Sequence, residues 1–324
     1  MELVIGPLGD AFFIRALLAL ALVGVVCAVV GTYVVLRGVA FFGDAIAHAG
    51  FPGVVIAYML SIPFYIGAAV AAVATALAIG AVTKRAGIRQ DTAIGVMFAG
   101  TFALGVFLFS SIRGYVADLF SFLFGNVLAI GAGDLVALLV LGGGVILTVA
   151  VLWKELLYAT FDPLGAAASG IRVDRLEYLF LALVALTIVV SLQAVGIILV
   201  VAMLITPAAT AQLLTVRFAR VMVLAGIVGI TSAIIGLYLS YWLDVASGAT
   251  IVLVQTGTFL AALALGPRGP LGRLRRRQPT WDADVVSDAD VVSGPDVVSG
   301  VAPAADGADP SSSSEAGEPE GLTA

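Results

Sequence analysis

Asp44 and His48 stand four residues apart in the stretch GVAFFGDAIAHAGFPG, and His48 is the only histidine in the chain. On a helix that spacing puts both side chains on one face, with Cβ atoms about 5–6 Å apart. A carboxylate and an imidazole aimed at one spot suit Zn, Mn or Fe(II) and disfavour Cu(I), which prefers thiolate and thioether. Two ligands are too few to hold such an ion. A symmetric dimer with this face on its two-fold axis presents two Asp and two His, a four-ligand set. The plainer readings are that Asp44 simply bonds to His48, or that it caps a helix beginning after Gly43.

The surroundings of the pair favour the functional reading. The chain has 324 residues, 61% hydrophobic and 11% charged, with a mean hydropathy of +1.13. Soluble domains are roughly 45–50% apolar and about 25% charged, so an ordinary cytosolic enzyme is excluded. A disulfide-stapled secreted domain is excluded because Cys27 is the only cysteine. Nucleic acid is no partner for a chain of pI 4.8 with 16 basic residues. What remains is a polytopic membrane protein. An ionisable group inside a membrane costs several kcal/mol and faces a cavity or a partner.

Apolar runs of about 20 residues are long enough to cross a bilayer. They fall near 12–36, 40–60, 64–83, 92–110, 133–153, 176–195, 196–215, 220–241 and 249–266. The second carries Asp44, His48 and Pro52, so the count is eight or nine. The stretch 116–130 is short for a span and reads as a re-entrant or interfacial helix. The first run is too long for a signal-peptide core.

Gly43, Gly50, Pro52 and Gly53 bracket the Asp/His pair and are expected to interrupt the helix. At membrane depth, broken helices are tolerated where they line a cavity or are buried in protein. A second break is expected at Pro207 in LITPAATAQLL, where the small residues that follow favour close helix packing.

Basic residues fix the orientation. Lys84, Arg85 and Arg89 share one loop, Lys154, Arg172 and Arg175 another, and Arg217 and Arg220 a third. Arg268 to Arg277 follow the last span. All four segments fall on one side, the cytoplasm, if every span after residue 63 crosses once. The N-terminus is then outside if 40–60 spans fully.

All 16 Lys and Arg precede position 278, whereas ten of the 21 acids lie from Asp282 onward. The body is mildly basic and the tail acidic. The tail opens on a hexapeptide repeated three times (DADVVS, DADVVS, GPDVVS) and continues rich in Pro, Gly, Ser and acids, a composition that does not pack a core. The domain reading is a transmembrane body over 1–268, then a cytoplasmic basic stretch and disordered acidic tail over 269–324. An acidic tail suits a salt-rich cytoplasm and points to a halophilic organism.

Between two spans, residues 154–175 read KELLYATFDPLGAAASGIRVDR. Asp162 is placed as an N-cap with Pro163 at the first helical position, and Gly170 as the stop. The result is a short amphipathic helix that rests in the lipid interface or takes the push of a soluble partner. No Gly-rich phosphate loop with a Lys occurs, and no Ser-His-Asp, H-E-x-x-H or Cys cluster. The chain carries no catalytic apparatus, so ATP-driven transport would need hydrolysis by another polypeptide.

Six segments in order carry a family resemblance: VVLRGVAFFGDAIAHAGFPG (34–53), DTAIGVMFAGTFALGVFL (91–108), LFGNVL (123–128), ELLYATFDPLGAAASGI (155–171), VGIILVVAMLITPAATA (195–211) and SYWLDVASGATIVL (240–253). From about Gly24 to Gly266 the chain resembles the membrane permease subunits of ABC importers for zinc, manganese and iron ions. The resemblance implies an all-α, type II ABC importer permease-like bundle working as a homodimer in the plasma membrane, with the path between protomers. It implies cytoplasmic ABC ATPase subunits, and an extracytoplasmic solute-binding protein that delivers the ion. The family's pore ligands map onto Asp44 and His48. Its coupling helix maps onto Phe161, Asp162, Pro163, Leu164, Gly165, Gly170 and Ile171. Gly38 stands where members often carry a second basic residue after Arg37, and Ala246 where they often carry Pro. No cofactor is held permanently; the metal is cargo. The rival readings are a permease for a chelated metal (siderophore or cobalamin), a secondary transporter or channel without an ATPase, and a membrane scaffold.

Overall fold

The computed structural model describes residues 9–112, 127 and 130–266. The 116–130 helix reading falls almost wholly outside the described residues. So does the acidic tail, together with the halophile reading that rests on it.

The described residues are all-helical apart from turns. Twelve helices follow in order: α1 (Ala11–Leu36), α2 (Ala40–Ala49), α3 (Phe51–Met59), α4 (Phe64–Ala86), α5 (Gln90–Ser110), α6 (Ala132–Val151), α7 (Trp153–Phe161), α8 (Pro163–Ala168), α9 (Val173–Val195), α10 (Ile197–Leu214), α11 (Phe218–Leu243) and α12 (Ser247–Leu265). Among the described residues, nine helical stretches are long and apolar enough to cross a membrane, with α2 and α3 together forming one over Ala40–Met59. The protein is a multi-pass membrane protein. Hydrocarbon offers no hydrogen-bond partners, so helices that satisfy their own backbone are what this composition allows. Hydroxyls follow the same rule: Thr32 donates to the Ala28 carbonyl at 2.7 Å and Thr187 to that of Leu183 at 2.8 Å.

α1 is the central element, packed by α6, α9, α10 and α11. Its Cys27 is fully buried, with Sγ 3.9 Å from Ser191 Oγ on α9. α5, α6 and α12 are peripheral and leave most of their surface open. Helices in lipid associate by close packing rather than by hiding from water, and small residues permit it. At Gly53 on α3 and Gly67 on α4 the two backbones touch, and a Cβ on either would collide with the other's carbonyl oxygen.

Several expected helix breaks are something else. Gly43 lies inside α2, which begins at Ala40, so Asp44 caps nothing. Gly43 instead lets α2 approach α10, where Leu204 Cδ2 would lie 2.9 Å from an added Cβ. Gly53 is likewise interior to α3 and serves the contact with Gly67. Pro207 sits inside an unbroken α10, its ring packed against Gly229 of α11, so its missing N–H costs one bond without ending the helix. Only Gly50 marks a boundary. Its backbone stays helical (φ −66°, ψ −24°), and the Gly50 and Val54 amides still reach Ile46 and Gly50. The disturbance comes from Pro52, which has no N–H to give the carbonyl of His48.

Long-range contacts sort the helix ends. Arg37 binds Thr160, Lys84 lies 2.7 Å from both Asp174 and Glu177, and the Phe218 ring meets Trp153 and Phe161 edge-on at 5.1 and 6.3 Å. The C-terminal ends of α1, α4 and α7 therefore share one end of the bundle with the N-terminal ends of α9 and α11. At the opposite end Phe13 packs against Tyr238 and Tyr241.

Candidate metal-permeation site

α2 is buried on nearly every side, through Phe42, Gly43, Ala45, Ile46, Ala47 and Ala49. Phe41, Asp44 and His48, at i, i+3 and i+7, form its open stripe. Phe41 is 77% exposed, and the Asp44 and His48 side chains are 47% and 29% exposed. A stripe carrying a carboxylate is unsuited to lipid, so it faces water or protein.

His48 Nε2 lies 3.7 Å from Asp44 Oδ1. That is too long for a hydrogen bond. It is near the spacing of two donors on one ion, about 3.4 Å for tetrahedral bonds of about 2.1 Å. The His48 ring meets Phe98 and Phe102 of α5 edge-on at 5.5 and 5.6 Å, so two aromatic walls fix its orientation. Sequence reasoning passed over these rings, because their i, i+4 spacing in MFAGTF does not say what that face meets. Gly105 of α5 makes room for the Phe51–Pro52 kink, with Phe51 Cδ1 2.5 Å from where its Cβ would be. Among the described residues no group of three or more His, Cys, Asp or Glu is placed to hold a metal. Asp44 and His48 are the two candidate donors at this spot.

The second predicted region lies away from this pair, at the end of the bundle that carries Arg37 and Lys84. Asp162 caps α8, its Oδ1 accepting from the Gly165 amide at 2.8 Å, with Pro163 in the first turn. α8 ends as the spacing predicts, with Gly170 at φ +85° and the Ile171 amide donating to the Ala166 carbonyl. Only Ala166 of α8 is buried, while Leu164 is 84% and the neighbouring Phe161 64% exposed. Two large apolar side chains thus stand open beside a short helix that packs on α7 and α9.

The fold agrees with what is similar to this chain. The model of the ABC 3 transport family matches residues 9–266, and the chain belongs to that family. Transport rather than catalysis is therefore its class of activity. The manganese transport system membrane protein MntC of Halalkalibacterium halodurans is 48% identical over 261 residues, covering 81% of this chain and 89% of MntC. The chelated iron transport system membrane protein YfeD of Yersinia pestis is 40% identical over 262 residues, covering 81% of this chain and 88% of YfeD. The structure of PsaBC from Streptococcus pneumoniae in complex with Fab aligns with a TM-score of 0.75 at 36% identity, over 85% of this chain and 99% of that one.

Proposed function

We propose that this chain is the permease subunit of an ATP-driven ABC importer that passes a divalent transition-metal ion (zinc, manganese or iron) into the cytoplasm by alternating access. The carrying observation is the α2 stripe, where a carboxylate and an imidazole stand 3.7 Å apart, open on the one side that its own chain does not cover. Two such stripes facing across a two-fold axis give two Asp and two His, enough for a transient four-ligand site. Transient holding is what transport needs, since a closed structural site would not release its ion. The name of the manganese transport protein MntC supports the ion class.

The remaining parts follow from the same reading. The end bearing Arg37, Lys84 and Arg217 is cytoplasmic, the N-terminus is outside, and the tail after residue 268 lies in the cytoplasm. Cytoplasmic ATPase subunits seat the segment Phe161–Ile171, with Leu164 and Phe161 as its apolar anchors. An extracytoplasmic binding protein delivers the ion at the opposite end. A chelated-metal permease would instead need a wide, donor-free path.

Uptake of radioactive manganese by cells that depend on this transporter tests the site. Asp44→Asn combined with His48→Ala should lower uptake by at least about tenfold, the effect of losing one or two good ligand interactions, with membrane protein levels unchanged. Unchanged uptake would remove the pore-site reading, and uptake only in the presence of a chelator would favour the chelate reading. For the docking segment, Asp162→Arg or Leu164→Asp should separate the ATPase from the permease while the spans stay folded. Full ATPase association in both variants counts against the coupling role.

A further inference from the structure

Three residues, Arg37 to Val39, join α1 to α2, the helix that carries Asp44 and His48. They form a tight reversal: the Gly38 amide donates to Val35 and the Val39 amide to Val34, with Gly38 at φ +70°. This is the glycine-ended helix stop in which a left-handed residue satisfies the last carbonyls. Arg37 and the start of α2 are thus tied through one hydrogen-bonded turn.

Arg37 reaches out of that turn to two other elements. Its Nε and Nη2 both donate to Thr160 Oγ1 on α7, at 3.1 and 3.0 Å. The Thr160 hydroxyl is itself committed to the Leu156 carbonyl at 2.6 Å, which turns its lone pairs toward the guanidinium. The guanidinium also lies 4.1 Å over the ring of Phe180 on α9. Burial lowers the Arg37 pKa while the Glu177 carboxylate and Tyr33 oppose that effect; a guanidinium stays charged throughout. A cleft of about 390 Å³ opens beside it, lined among others by Gln90, Thr160, Pro163 and Glu177, so the contact has room to shift.

Thr160 is two residues before Asp162, the cap of α8, and Arg37 is seven residues before Asp44. We propose that Arg37 is the strut that carries displacement of the α8 docking segment into α2, and so to the Asp44–His48 pair. The inference rests on the importer reading above, because it needs both the docking segment and the metal stripe. Arg37 is a positioning residue: it touches no metal and no nucleotide. The fork of the guanidinium matters, since it grips one hydroxyl through two N–H groups and stacks on a ring, which an ammonium does not reproduce.

The test uses the assembled transporter, with its ATPase and binding protein, in proteoliposomes, and reads manganese moved per ATP hydrolysed. Arg37→Gln should keep complex formation and ATP hydrolysis near wild type but lower that ratio by about tenfold, within the usual range of inter-site coupling. Thr160→Val should lower it in the same direction. The double variant should be no worse than Arg37→Gln alone, because both remove one contact. Arg37→Lys should recover little of the loss, because an ammonium lacks the fork and the stacking plane. A proportional fall in uptake and hydrolysis, leaving the ratio unchanged, is what a merely structural role gives, and it overturns the proposal. Should Arg37→Gln not assemble, an unchanged ratio in Thr160→Val overturns it equally. Wild-type protein that moves no manganese, or Asp44→Asn/His48→Ala protein that moves it normally, would instead sink the importer reading itself.

Discussion

His48 is held between the Phe98 and Phe102 rings, and under the proposed function that support is as much a part of the site as the two candidate donors. Removing both walls with Phe98→Ala and Phe102→Ala frees the imidazole to leave its position over Asp44. Each such edge contact is worth about 0.5–1.5 kcal/mol. The expected outcome is a severalfold rise in the manganese concentration needed for half-maximal uptake, with maximal uptake less affected; kinetics of radioactive manganese entry check it. Asp44 and His48 were legible in the sequence because ionisable groups are rare in an apolar run, so a pair at helical spacing stands out. Phe98 and Phe102 were not, because among 17 phenylalanines nothing in an evenly apolar helix says which face meets the histidine. The same limit hid Arg37: its charge was visible, but its partner Thr160 lies 123 residues away.

Glycine has two jobs in these helices, and the sequence does not separate them. Gly43, Gly53 and Gly50 were read alike as interruptions, yet only Gly50 is a boundary. What distinguishes the other two lies on different helices, Leu204 on α10 and Gly67 on α4. Local spacing carries no record of such neighbours. Pro207 fooled the reading in the same way, since the lost hydrogen bond is local but the packing that tolerates it is not. The capped start of α8 was legible because Asp162 and Pro163 act within one turn. From the α3–α4 contact, Gly53→Val should destabilise the purified protein by about 1–3 kcal/mol, as overpacking does. Gly143→Ala, which meets open space, should leave it nearly unchanged or slightly firmer. Melting curves in detergent would distinguish the two; equal curves would contradict the backbone contact.

Eight spanning segments and an open ninth could be read from hydropathy because length and composition alone define them; the structure adds the ninth over Ala40–Met59 among the described residues. Which of them lies at the centre could not, since α1 and α12 are both apolar all round and differ only in what surrounds them. The contacts that bring Arg37, Lys84 and Phe218 to one end agree with the distribution of basic loops. A fluorescent protein fused after residue 266 should therefore mature and glow inside the cell, whereas an alkaline phosphatase fused there should be inactive; the reverse pattern would invert the orientation. The sealed sulfhydryl of α1 has a practical corollary. With Cys27 wholly enclosed against Ser191, a maleimide dye should leave the native protein almost unlabelled until it is denatured. The natural chain is then already a blank background for spectroscopy: one thiol engineered at an exposed position such as Ile88 would be the sole reporter, and distances between the two copies of the proposed dimer could be followed through the transport cycle without first altering the interior.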